Sequence, residues 1–184
     1  MNKLKLLLLV LPLLWAAACT NTNEVTEQLG TTVYFQFEYV NHACGYTHQG
    51  FIIDQAGNIY EYSQPENWNW PSEDKISRDL FNANLEKAEV RLAEIKLNEL
   101  RQMEIKALSA QNGSLSEAKH VMADAGVESY AIYLADEGSG ELTRYLLQNR
   151  GDFYQKNTSK ASDEIVSWLI TIRGEEGYSH EHFQ

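Results

Sequence analysis

From Thr31 to Val40 the chain alternates strictly. Val33, Phe35, Phe37 and Tyr39 fall on one face of an extended backbone, and Thr32, Tyr34, Gln36 and Glu38 fall on the other. A helix would spread those four large apolar side chains around its circumference, whereas a strand gathers them on one side. The segment is therefore read as a half-buried strand. Such a strand needs neighbours for its N–H and C=O groups and a layer over its apolar face. Gly50 to Asp54 and Ile59 to Tyr62 supply neighbours: they flank Gln55-Ala56-Gly57-Asn58, where Gly57 can take the positive φ of a tight hairpin turn. Two more strands are expected at 128–135 and Leu142 to Gln148. In the first, Tyr130, Ile132 and Leu134 lie opposite Ala131, Tyr133 and Ala135, and the turn between the two strands is Glu137-Gly138-Ser139-Gly140.

The covering layer is helical. Ile165, Trp168, Leu169 and Ile172 recur at spacings of three and four, which predicts an amphipathic helix from about Ser159 to Arg173, stopped by Gly174 and closing over a sheet. Helix formers also dominate from Ile76 to about Ala110, but the apolar stripe moves. Leu85, Ala88, Leu92 and Ile95 share one face, while Leu100, Met103 and Ala107 share another. A break is expected near Leu97-Asn98, with Asn98 as cap and Glu99 in the first turn of the new helix. The alternation in Val90-Arg91-Leu92 and Ile95-Lys96-Leu97 equally permits a short strand there. Asn112-Gly113 ends this region, and Ser114 or Ser116 can start a short helix running to Ala125. The fold class is α+β: antiparallel strands and hairpins packed with several helices in a single domain.

Composition narrows the function. Of 184 residues, 43% are hydrophobic and 11% aromatic, enough to bury a core, so global disorder is excluded. The 26 acidic residues outnumber 15 basic ones, for a net charge of -11. Such a surface repels phosphate backbones and has no Lys/Arg stripe to offset this, so no nucleic-acid partner is expected.

Residues 1–18 have a basic start at Lys3 and Lys5, an apolar run from Leu6 to Trp15, and Ala16-Ala17-Ala18 immediately before Cys19. This closely resembles the bacterial lipoprotein signal, with Cys19 at the position of the lipidated cysteine. Ala16 stands where such signals usually carry Leu, and the same triplet also satisfies the A-x-A pattern of ordinary signal peptidase. The resemblance implies a signal peptide at 1–18, a lipidated N-terminus and tether at 19–30, and a membrane partner reached through the N-terminal lipid. It further implies a bacterial cell-envelope location, and Thr20 after the cysteine points to the outer membrane. Residues 31–173 then form the α+β domain, and 174–184 a polar, flexible tail.

Four groups of residues could carry chemistry. Cys44 lies between His42 and His48, a setting in which a thiolate could form. Catalytic Cys and His usually come from distant parts of a sequence, however, so a buried, inert thiol is the expectation and no catalytic residue is assigned. His42, Cys44, His48, His180 and His182 offer soft ligands, but their spacing matches no closed zinc module, and neither a metal nor another cofactor is expected. The carboxylates are scattered and read as a solubilising surface. Trp68 and Trp70, in the loop QPENWNWPSEDK just after Tyr60 and Tyr62, are the candidate binding residues. Trp70 precedes Pro71 and is biased to an extended backbone, so Trp68 projects to the same side. The pair reads either as an exposed platform or as a satellite core over the hairpin. The expected function is a non-enzymatic binding domain at the cell envelope, for a protein or an envelope component. The alternatives are a glycan-binding accessory protein using the Trp68/Trp70 loop and a cysteine hydrolase using Cys44.

Overall fold

The computed structural model describes residues 31–43, 45–91, 95–136 and 138–175. The expected signal peptide, Cys19 and the expected tether, Cys44, His180 and His182 lie outside the described residues.

The strand on which everything is built is β1 (Thr31–Asn41). It pairs antiparallel with β2 (Thr47–Ile53) on one side and with β7 (Val127–Asp136) on the other, so that Phe37 stands opposite both Phe51 and Tyr130. Outward from β2 lie β3 (Ile59–Ser63) and the edge strand β5 (Glu89–Arg91). Outward from β7 lies β8 (Glu141–Gly151), and beyond it β9 (Phe153–Lys156) and β6 (Lys119–His120). The short β4 (Lys75–Ser77) adds to the first residues of β8, with Ile76 facing Leu142. Three helices complete the described residues: α1 (Arg78–Leu85), α2 (Leu97–Ala110) and α3 (Lys160–Glu175). The sheet dominates, and the α+β class holds in that form.

One face of the sheet carries the expected core. Val33, Phe35, Phe37 and Tyr39 join Phe51, Ile53, Tyr130, Ile132 and Leu134, and α2 and α3 close over them with Leu100, Met103, Ile165, Trp168 and Leu169. The Trp168 indole meets Phe35 edge-on at 5.1 Å, a favoured aromatic geometry. Phe37 is wholly buried among Phe51, Tyr130 and the Arg173 guanidinium, which lies 4.6 Å over its ring.

The opposite face of β1 departs from the half-buried reading. Tyr34, Gln36 and Glu38 are buried there, because α1 and the loop before it form a second layer. Phe81 of α1 wedges between Tyr34 at 4.7 Å and Tyr133 at 4.9 Å. Alternation in one strand identifies its apolar face and says nothing about whether the polar face is also covered.

Three helix expectations are corrected. The region from Ile76 to Ala110 is a strand, a short helix, an edge strand and a second helix. Ser77 caps α1 by accepting from the Leu80 N–H, and Glu89–Arg91 then pairs with β3, where Arg91 bridges Glu61 at 2.6 Å. The new helix begins at Leu97 as the stripe shift predicts, but its cap position is Lys96, without a side-chain cap, and Asn98 already lies within it. No helix spans 114–125. The Ser116 backbone N–H donates to the Lys156 carbonyl at 2.8 Å and its hydroxyl accepts from the Lys156 N–H, so the serine serves a strand partner instead of a helix N-terminus. Finally, α3 runs through Gly174 to Glu175. The Asp54–Asn58 turn is as expected: the Asp54 carboxylate accepts the Ala56 and Asn58 N–H groups, and Gly57 has a φ of 85°.

Candidate functional site

Between the second face of the sheet and the 64–75 loop, polar and aromatic side chains converge. Glu38 comes from β1, His48 from β2, Tyr62 from β3, Tyr133 from β7 and Arg144 from β8. All project to the face away from α2 and α3, as the strand register requires.

The floor is a hydrogen-bonded network. The Tyr133 hydroxyl donates to Gln36 Oε1 at 3.0 Å, and Gln36 Nε2 donates to the Tyr62 hydroxyl at 3.0 Å. His48 Nε2 lies 2.9 Å from Glu38 Oε1. The same carboxylate oxygen is 3.4 Å from both Gln36 Nε2 and the Tyr62 hydroxyl. Burial pushes the Tyr62 and Tyr133 phenols above their ordinary range, so both remain neutral hydroxyls that can donate. Gly50 makes the arrangement possible. It sits opposite both Glu38 and Tyr62, and a Cβ there would fall 2.7 Å from the Tyr62 hydroxyl and closer still to the Phe37 carbonyl oxygen.

The wall is aromatic. Trp68 packs on Tyr62 with ring centres 4.3 Å apart and meets His48 nearly perpendicular at 5.2 Å. Trp70 stacks on His48 at 4.8 Å and 27°, yet remains 49% exposed. The two indoles do share a side, and they divide the two readings between them. Trp68 is half-buried as a satellite core over the hairpin, while Trp70 keeps an open surface. Tyr46, also exposed, has its ring centre 6.1 Å from that of His48. Together with Glu38, Tyr133, Arg144 and the loop residues Pro71 and Asp74, the indoles line a cavity of about 250 Å³.

The remaining sequence candidates fall into place around this. Tyr62 is buried beneath Trp68, so its contribution is to hold the floor. Tyr60 is half-buried, with its hydroxyl 3.2 Å from Asp54, away from the cavity. His42 is exposed and His48 wholly buried, so the two imidazoles that flank Cys44 in sequence occupy different environments. Among the described residues, no group of three His, Cys, Asp or Glu side chains could hold a metal ion. Gln36, Glu38, Asp74, Tyr133 and Arg144 were missed as site residues. The one signal in the chain is the Gln36-x-Glu38 pair on a strand, two polar groups on one face that become neighbours once that face is covered.

Comparison with protein-family models, with curated proteins and with solved structures finds no match to the chain. No described helix is long and apolar enough to cross a membrane.

Proposed function

We propose that the chain is a cell-envelope lipoprotein, anchored through Cys19, whose domain binds glycan in the cavity beside Trp70 and has no catalytic role. The observation that carries the binding reading is Trp70 itself: an indole stacked on a wholly buried imidazole, yet half open to solvent at the edge of a polar cavity. Leaving so large an apolar ring exposed forgoes roughly 1 kcal/mol or more of burial, while the stack on His48 holds it in one orientation. A rigid indole beside carboxylates, a guanidinium and a phenol can stack on the C–H face of a pyranose while the polar groups meet its hydroxyls. The volume suits one ring-sized unit, since cavities for drug-sized ligands run to about 300–1,000 Å³. Exposed Tyr46 nearby offers a second ring surface for the adjacent unit of a chain.

Affinity electrophoresis through immobilised envelope glycans tests this. The wild type should be retarded, and Trp70→Ala should migrate freely while its melting temperature stays within a few degrees of the wild type. Equal retardation of the two proteins would remove the cavity as the site. The anchor is tested separately by mass spectrometry of the mature N-terminus, where acyl chains on Cys19 are expected; an unmodified N-terminus there would refute the anchor.

A further inference from the structure

We propose that the sugar unit seated beside Trp70 carries a protonated amine, as an unacetylated amino sugar does, and that Glu38 Oε2 is its acceptor. This rests on the glycan reading above and adds the chemical class of the unit.

Glu38 is the starting point. Its side chain is 9% exposed and lines the cavity. Its hydrogen bonds are one-sided: His48 Nε2, Gln36 Nε2 and the Tyr62 hydroxyl all address Oε1, and no described residue donates to Oε2. Oε2 is not one of the buried side-chain atoms without a partner among the described residues, so it is the oxygen of this carboxylate that opens to the cavity. Here the donors below fix the carboxylate and leave one oxygen for whatever enters the cavity. His48 cannot turn to serve it. The ring is held by Trp68, Trp70 and Tyr62, and its Nδ1 has no hydrogen-bond partner among the described residues.

The charge balance chooses the kind of donor. Glu38 and Asp74 contribute two carboxylates to the lining, and Arg144 contributes one guanidinium, which lies against the Tyr133 hydroxyl. The cavity is therefore net acidic within a chain of net charge -11, which repels uronic and other acidic sugars and attracts cations. An ammonium group also suits the indole wall, because a cation near an aromatic face is attracted by the ring quadrupole. A hydroxyl would meet the carboxylate at Oε2 with a hydrogen bond charged on the acceptor side alone. An ammonium adds a full positive charge, and with it an ion-pair attraction that the hydroxyl lacks.

The test is a titration of the purified full chain, followed by tryptophan fluorescence, in mildly acidic buffer. Three oligosaccharides of equal length and linkage are compared: one of glucosamine, its fully N-acetylated counterpart and one of glucose. The glucosamine oligosaccharide should bind about tenfold more tightly than the other two. Glu38→Gln should bring that ratio close to one, because the amide oxygen can take the place of Oε1 and its NH2 then presents donors where Oε2 accepted. Asp74→Asn, at an exposed position, should lower the ratio while keeping the wild-type melting temperature, and so reads the same effect should Glu38→Gln fail to fold. Equal affinity for all three sugars, lost in Trp70→Ala, would overturn the amine assignment and leave the glycan reading standing. Glucosamine binding that persists in Trp70→Ala, Glu38→Gln and Asp74→Asn would show attraction to the acidic surface alone and overturn it also. Failure of all three sugars to bind would overturn both.

Discussion

Phe37→Ala should lower the free energy of unfolding by about 3–5 kcal/mol. The ring is wholly buried at the centre of the sheet, 5.6 Å from Phe51, 5.4 Å from Tyr130 and under the Arg173 guanidinium. Strands hold these neighbours on both sides, so they cannot collapse into the space an alanine leaves, and the cavity persists. A domain of this size has about 5–15 kcal/mol to lose, so the variant should sit near the edge of folding. Phe37→Leu should cost far less, because it leaves most of that space filled. Urea unfolding of both variants checks this: a loss below about 1 kcal/mol for Phe37→Ala would mean that the two helices do not clamp this face of the sheet.

Glu38→Ala should cost about 3 kcal/mol for a different reason. Little apolar volume is lost. What is removed is the common acceptor of His48, Gln36 and Tyr62, and His48 has no other hydrogen-bond partner among the described residues. A completely buried imidazole would then have neither nitrogen satisfied. Because Trp68 and Trp70 rest on His48, the wall of the cavity should loosen with it, and sugar binding should fall beyond what the lost carboxylate accounts for. Pairing Glu38→Ala with His48→Phe should recover part of the stability, since an apolar ring needs no acceptor. Additive losses in that double-mutant cycle would mean that the pair is not coupled.

The parts of the fold legible in the sequence are those in which one chain segment decides its own neighbours. Val33 to Tyr39 had to be a strand with one apolar face, the Asp54–Asn58 turn had to close a hairpin, and the Ile165–Ile172 stripe had to lie on a sheet. What was not legible depended on competition between segments. The Val90-Arg91-Leu92 alternation permits helix and strand alike, and Glu89–Arg91 becomes a strand because the β3 edge and Glu61 offer it partners. Ser116 could cap a helix as readily as it pairs with Lys156, and only the arrival of β9 decides between them.

The same distinction runs through the candidate site. Trp68 and Trp70 stand out locally as two indoles beside a proline, and in the fold both pack against one ring, that of His48. Glu38 looks like an ordinary solvent-facing strand residue until α1 and its preceding loop cover it. Tyr133 and Arg144 face each other across the expected β7–β8 hairpin, but they join the cavity through the pairing of β7 with β1, far apart along the chain, which no spacing encodes. His48 drew notice for its nearness to Cys44, whereas its function in the fold is set by Glu38, ten residues earlier, across the β1–β2 hairpin.

The most direct test of the Trp70 cavity as the glycan site is a nitrogen–proton correlation spectrum of the mature protein with assigned indole and Arg144 side-chain signals, recorded as the glucosamine oligosaccharide is added. The Trp70 indole N–H and the Arg144 guanidinium should shift progressively with saturation, Trp68 should follow by a smaller amount, and Trp168, buried against Phe35 on the opposite face, should stay where it is. Saturable shifts confined to residues away from the cavity, or none at all with Trp70 unmoved, would contradict it.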